Sequence, residues 1–345
     1  MPLTFALKLA RIFLFFCASN ALAVDEAATN KRAVTVIADA QFELGKAIIP
    51  LYLSHDWTLT QPEVTQVVLM FHGRLRDADV YWRTAKKAMA AAKQSQHSML
   101  IVPQFLADAD IEQHGLSEDF LHWKWEAWMG GEPANGPLAI SSFEVIDALL
   151  SRLKDPHRFP NLHSVVLAGH SGGAQVVQRY AVVGRAEELL ESRAITVRYV
   201  VANPSSYLYF SHARPYAKDG SCTKFNRWKY GWEAAPDYAR RKSSANYEAQ
   251  YAQRNVIYLL GELDTNPQHP ALDQSCAAEM QGAFRLERGL HYFNYLQQRH
   301  PLMTQQRIVK VPGVAHDADA MFGSAEGISA LFETAQSQLV KTSQK

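Results

Sequence analysis

The chain has 345 residues, 48% of them hydrophobic, enough to bury a large core as one big α/β domain or two smaller ones. Its 35 basic and 34 acidic residues leave a net charge of +1. With no excess of positive charge to meet a polyanion, no nucleic-acid partner is expected.

Residues 1–23 read as a secretory signal peptide. Lys8 and Arg11 form a basic start, residues 12–18 an apolar run, and Ala21-Leu22-Ala23 a small-residue cleavage site. The apolar run is too short to span a bilayer, so no stable membrane insertion is expected after cleavage. A periplasmic or secreted protein follows, with residues 24–345 as a single domain. Residues 24–33 are polar. Strands are expected at 34–37 and Ala47–Leu53, then a buried strand in "VTQVVLMFHG" (64–73) that ends in His-Gly. A helix is predicted over 77–93, a strand over 98–106, and a helix over 141–153. The last has Ser141 or Ser142 placed to cap it and Glu144 close behind. Strands follow at 163–171, 195–204, 255–264 and 306–316, and helices at 172–184, 277–299 and 324–340. Continuous apolar strands alternating with helices predict an α/β class with a mostly parallel, twisted sheet covered on both faces.

In such sheets ligands sit at the carboxyl ends of the strands, so the residues found there are the informative ones. The strand ends carry His72-Gly73-Arg74, then Ser171 inside "GHSGG", then Asp264, then His316. Serine is a poor nucleophile unless a base within hydrogen-bond reach takes its proton, and His316 is the candidate base. The imidazole in turn needs a carboxylate to fix its tautomer and stabilise its charged form. Asp264 is the candidate, ahead of Glu262, which lies two residues earlier. Gly169 and Gly173 remove side chains that would crowd a sharp turn presenting Ser171. The helix beginning after the serine brings backbone N–H groups to a developing oxyanion, with the N–H of Gly172 as one donor. The second is expected from the loop after Gly73, at the N–H of Arg74. Asp317 and Asp319 adjoin the base too closely in sequence to orient it, and are expected to cap the turn or bind water.

These residues resemble the α/β-hydrolase superfamily, over most of the chain from "LMFHG" to "GVAHDADAMF". The stretches "GHSGGAQVVQRYA", "YVVANPSSYLY", "LLGELDT", "LDQSCAAEMQGAFRLERG" and "VPGVAHDADAMF" are similar to a loosely characterised group of exported bacterial and fungal members. The resemblance implies a serine hydrolase acting on esters, amides or related acyl compounds, and leaves the substrate open. A small-molecule or polymer ester is the first expectation, a peptide or amide the second. A non-catalytic protein that binds ligands in the same cleft is the competing class.

Two aromatic-rich segments interrupt the pattern. "FLHWKWEAWMGGEPANGP" (120–137) and residues 205–254, the expected cap insertion, are candidates for pocket walls or for packing. Trp128, Tyr207 and His170 are the candidate pocket residues. Cys17 leaves with the signal peptide, so Cys222 and Cys276 remain as an even pair and predict one disulfide in an oxidising compartment. No metal-ligand spacing, phosphate loop or dinucleotide glycine pattern is present, so neither a metal nor a cofactor is expected.

Overall fold

The computed structural model describes residues 32–124, 126–216 and 222–332. The signal peptide expected at 1–23, Trp125 and the last part of the helix expected at 324–340 lie outside them.

Strands β1 (Ala40–Leu44) and β2 (Ala47–Leu53) form an antiparallel hairpin that turns at Gly45, whose φ of +64° is open to glycine. β3 (Gln66–Phe71) is buried throughout, as its unbroken apolar run predicts. Helix α1 (Ala78–Ala91) leads to β4 (Ser98–Pro103), which lies parallel to β3. A two-stranded ladder of β5 (Leu106–Ala107) and β6 (His122–Trp123) brackets α2 (Asp108–His114). Helix α3 (Ser142–Leu153) starts at a capping box. Ser141 Oγ accepts from the Phe143 N–H at 3.1 Å, and Glu144 accepts from the Ser141 N–H at 2.7 Å. Then follow β7 (Ser164–His170), α4 (Gly172–Val183), α5 (Ala186–Leu190), β8 (Thr196–Ala202), α6 (Ser244–Ala252) and β9 (Asn255–Gly261). The chain closes with α7 (Cys276–Glu279), α8 (Arg285–Arg299), β10 (Gln306–Val311), α9 (Ala318–Gly323) and α10 (Ala325–Phe332).

The main sheet has eight strands in the order β1-β2-β4-β3-β7-β8-β9-β10, and every pairing from β4 to β10 is parallel. Alternate residues of the central strands feed two separate cores. Val67, Leu69, Phe71, Val165 and Leu167 face one with α3, α4 and α8, while Val68, Met70, Val166 and Ala168 face the other with α1, α9 and α10. The direction of strand addition reverses between β3 and β7. Their carboxyl ends therefore open a crevice, the place where such sheets bind ligands.

Three expectations are corrected. Residues 34–37 form no strand, because side chains rather than a neighbouring strand satisfy their backbone. The Val34 N–H donates to Asp110 Oδ1 and the Ala38 N–H to Gln104 Oε1, both at 2.8 Å, and pairing starts only at Ala40. The helix expected over 277–299 is two helices, α7 and α8, separated at 280–284 by a turn through Gly282 (φ +152°). The helix expected from 324 starts one residue later as α10, with Ser324 Oγ accepting from the Gly327 N–H at 2.9 Å.

Candidate active site

β7 delivers Ser171 onto a tight corner before α4. The serine has φ 56° and ψ −116°, a conformation that costs a side-chain-bearing residue about 1–3 kcal/mol. The surroundings impose it: the Ser171 N–H donates to the Ala202 carbonyl at 3.0 Å, and α4 runs buried along its whole length. A Cβ on Gly169 would collide with the backbone of Gly173, and one on Gly173 with the carbonyl of Phe71. Both positions therefore need glycine for strand and helix to approach this closely.

β9 and β10 bring the other two side chains to the corner. The Leu263 N–H donates to the Val314 carbonyl at 2.9 Å, which draws the turn after β9 onto the loop after β10. Asn203, with φ 46°, strengthens this joint by accepting from the Gly261 N–H at 2.9 Å and donating to the Ala315 carbonyl at 3.2 Å. The result is a continuous relay. His316 Nε2 lies 3.0 Å from Ser171 Oγ, and His316 Nδ1 lies 2.8 Å from Asp264 Oδ2. With Nδ1 protonated toward the carboxylate, Nε2 is the acceptor facing the hydroxyl.

Asp264 is buried, and burial pushes its carboxyl above the ordinary range, opposed chiefly by the buried Arg285 guanidinium at 3.4 Å. Burial also holds His316 well below its ordinary value, helped by Arg285, His269 and Arg74, while the hydrogen bond to Asp264 acts the other way. His316 is thereby kept in the neutral form a proton acceptor needs. Glu262 lies past the strand end, exposed, with Lys310 Nζ 3.9 Å away, and takes no part in the relay. Asp317 Oδ1 accepts from the Ala320 N–H at 2.7 Å as the cap of α9, and Asp319 bonds Thr84 and Lys87.

The loop after β3 is set by His72. Its ring is fully buried, and burial pushes its pKa down to about 4. Nε2 accepts from the Phe105 N–H at 2.9 Å, so Nδ1 carries the proton it donates to the Gly73 carbonyl at 2.8 Å. This fixes Gly73-Arg74 against the start of α4. A Cβ built on Gly172 would lie 2.7 Å from the Arg74 backbone nitrogen. The two expected N–H donors are therefore neighbours beside Ser171.

A cleft of about 400 Å³ opens over the serine. Leu75, Asp77, Tyr81, His170, His269 and Ala271 are among its walls. His170 is buried and lies tilted against His316 with ring centroids 4.5 Å apart, while its Nδ1 lies 3.4 Å from the Tyr81 hydroxyl. Trp128 and Tyr207, expected in the pocket, are absent from these walls and fully buried. Trp128 is stacked on Phe105 and lies against His72 (centroids 5.4 and 4.6 Å apart), and Tyr207 is stacked on Tyr292 at 4.6 Å. Both rings pack the core because their segments turn inward. Residues 205–254 lie between β8 and β9, and none of those described lines the cleft. Cys222 and Cys276 form the disulfide, which joins this segment to the start of α7.

Three contributors were not singled out from the sequence. Arg285 sits in "AFRLERG", where arginines spaced along a helix look like a solvated face. Asn203 sits in "VVANPSS" with only its position just past β8 as a signal. His269 lies in a polar loop, with its ring edge-on to His316 at 5.0 Å.

No protein-family model matches the chain, and no curated protein does. Solved structures do. A poly(aspartic acid) hydrolase-1 from Sphingomonas sp. KT-1 is 20% identical, with a TM-score of 0.58 over 84% of this chain and 97% of that one. A poly(3-hydroxybutyrate) depolymerase from Bordetella parapertussis is 19% identical, with a TM-score of 0.58 over 86% of this chain and 88% of that one. Together with the strand order, these likenesses establish the α/β-hydrolase fold.

Proposed function

We propose that the chain is an exported serine hydrolase that cleaves acyl esters through a covalent acyl-enzyme. The observation that carries this reading is the relay from Asp264 through His316 to a serine held at positive φ. Ser171 Oγ attacks the acyl carbon as His316 Nε2 takes its proton. The N–H groups of Gly172 and Arg74 hold the oxyanion that forms. His316 then returns the proton to the leaving alcohol. Water, deprotonated by the same imidazole, attacks the acyl-serine, and His316 passes that proton to Ser171 Oγ as the acyl–oxygen bond breaks and the acid leaves. Asp264 holds the ring in the tautomer that makes both transfers work. The leader pattern of residues 1–23 and the Cys222–Cys276 bond support export.

The cleft walls include Asp77 and Asp317, with Asp319 paired to Lys87, against the guanidinium of Arg74, whose Nη2 donates to the Pro270 carbonyl at 3.1 Å. This balance favours neutral esters over anionic ones. The cleft's open mouth is compatible with a small ester or the end of a polymer.

The test is reaction of the purified, oxidised protein with a fluorophosphonate probe, followed by peptide mass spectrometry. Labelling at Ser171 that disappears in His316→Ala is the expected result. A folded, oxidised protein that stays unlabelled would overturn the reading and favour a cleft that binds ligands without turning them over.

A further inference from the structure

We propose that Arg285, at the start of α8, is a positioning residue that holds the Asp264 carboxylate ionised and aimed at His316. This rests on the hydrolase reading above and adds a fourth member to its relay. Arg285 is fully buried, and its Nη1 lies 3.4 Å from Asp264 Oδ1, the oxygen that His316 does not use. Its Nε donates to Ser205 Oγ at 3.2 Å, and that hydroxyl donates to the Ala271 carbonyl at 3.2 Å. The arginine therefore fixes both the acid and the loop that carries His269 past the base. The Leu286 N–H donates to the Asp264 carbonyl at 3.2 Å, which seats the start of α8 beneath the same residue. Arg288 completes the seat by donating to the carbonyls of Ser205 at 2.6 Å and Asp273 at 2.9 Å.

Packing alone is a poor reason for this arginine. Its Nη2 is buried without a protein partner among the described residues, and a cation buried in that way weakens a fold. What the position supplies is charge beside the acid. The charged and titratable groups around Asp264 are Arg285, His316, His170 and His269. Those around His316 are Asp264, Arg285, His269, Arg74 and His170. Within both sets Arg285 is the cation that opposes protonation of the acid most strongly and, among the charged neighbours, of the base too. Removing its charge makes Asp264 easier to protonate and His316 easier to charge. Both changes disable the relay from the acid side, so they act in the same direction.

The experiment measures the rate of fluorophosphonate inactivation against pH for the wild type, Arg285→Gln and Arg285→Lys. Labelling of the wild type at Ser171 comes first, so a failure there overturns the hydrolase reading and is separate from a failure of this proposal. In Arg285→Gln the rate at mildly acid pH is expected to fall roughly tenfold further than the rate at alkaline pH, as loss of a neighbouring charge predicts. Arg285→Lys keeps the charge and is expected to keep the wild-type profile. A loss of the same size at every pH, or no change of profile in Arg285→Gln, would overturn the proposal.

If Arg285→Gln alone does not fold, Asp264→Asn is compared with Asp264→Asn/Arg285→Gln, which removes both buried charges together. An arginine that acts through Asp264 adds no loss at alkaline pH once the carboxylate is gone. A further loss of roughly tenfold in the double variant would mean that it acts independently, against the proposal.

Discussion

The corner at Ser171 stores strain that a stability measurement can read without any knowledge of the substrate. Ser171→Ala and Ser171→Gly both remove the hydroxyl and differ only in a Cβ. At φ 56° and ψ −116° that Cβ costs about 1–3 kcal/mol, which the glycine variant escapes. Glycine gives back about 0.5–1 kcal/mol through the greater freedom of its unfolded chain. Taking the middle of each range, Ser171→Gly is therefore expected to be more stable than Ser171→Ala by about 1 kcal/mol. Urea unfolding at fixed pH checks this. For a domain of this size the slope is at least about 3 kcal/mol per molar, so the midpoints should separate by a few tenths molar. An alanine variant as stable as the glycine variant, or more so, would show that the corner relaxes at no cost. The claim that the fold holds the serine in an unfavourable conformation would then be wrong.

Gly172→Ala would drive a methyl group toward the Arg74 backbone nitrogen and Met129 Sδ, at 2.7 and 2.8 Å, and so spread the N–H groups of Gly172 and Arg74 proposed as oxyanion donors. Turnover of an activated ester should fall by about 10²–10³ with little change in KM, measured by steady-state kinetics. Buried His72 is neutral in the fold, with its pKa lowered from 6.5 to about 4, whereas the unfolded chain takes up a proton below 6.5. Its contribution to stability is complete above pH 6.5 and is lost as pH falls toward about 4. The loss amounts to about 3 kcal/mol, and urea midpoints across that range should show a slope that His72→Gln flattens. Breaking the Cys222–Cys276 bond, which closes a loop with a sequence separation of 54, should lower stability by roughly 4 kcal/mol in the chain-entropy account. Unfolding of Cys222→Ala/Cys276→Ala beside the oxidised protein tests that value.

The sheet was legible in the sequence because its central parallel strands β3, β4, β7 and β9 are buried almost throughout and so read as apolar runs between helices, whereas the part-buried edge strand β10 carries Arg307 and Lys310. The meeting of Ser171, Asp264 and His316 was legible because the fold gathers the residues that follow its parallel strands, and strand ends can be located from those runs. The N-terminal stretch misled for a related reason. Val34 and Val36 carry strand-like side chains, but Asp110 and Gln104, far along the chain, satisfy the backbone there. The aromatic rings of Trp128 and Tyr207 fit a pocket wall and a packed core equally well by composition, and only the paths of their segments separate the two. Arg285 was the hardest to see. A guanidinium that serves a buried acid looks, in sequence, like any charge on the outer face of an amphipathic helix.

The cleft is bounded by the loop into α1, by the corner at Ser171, by residues 269–271 and by residues 316–319. The large aromatic clusters lie elsewhere. The main aromatic core and the cleft wall are therefore drawn from different stretches of chain, while Tyr81 serves both the cleft and the second core. Leu75 and Ala271 border the cleft outside both cores, whereas Val80 and Ala318 border it and also pack against the second core. Exchanging Leu75 or Ala271 would alter the shape of the cleft while leaving the two cores intact. The rim of the cleft at these two positions can therefore be reshaped in small steps, with each variant still able to fold.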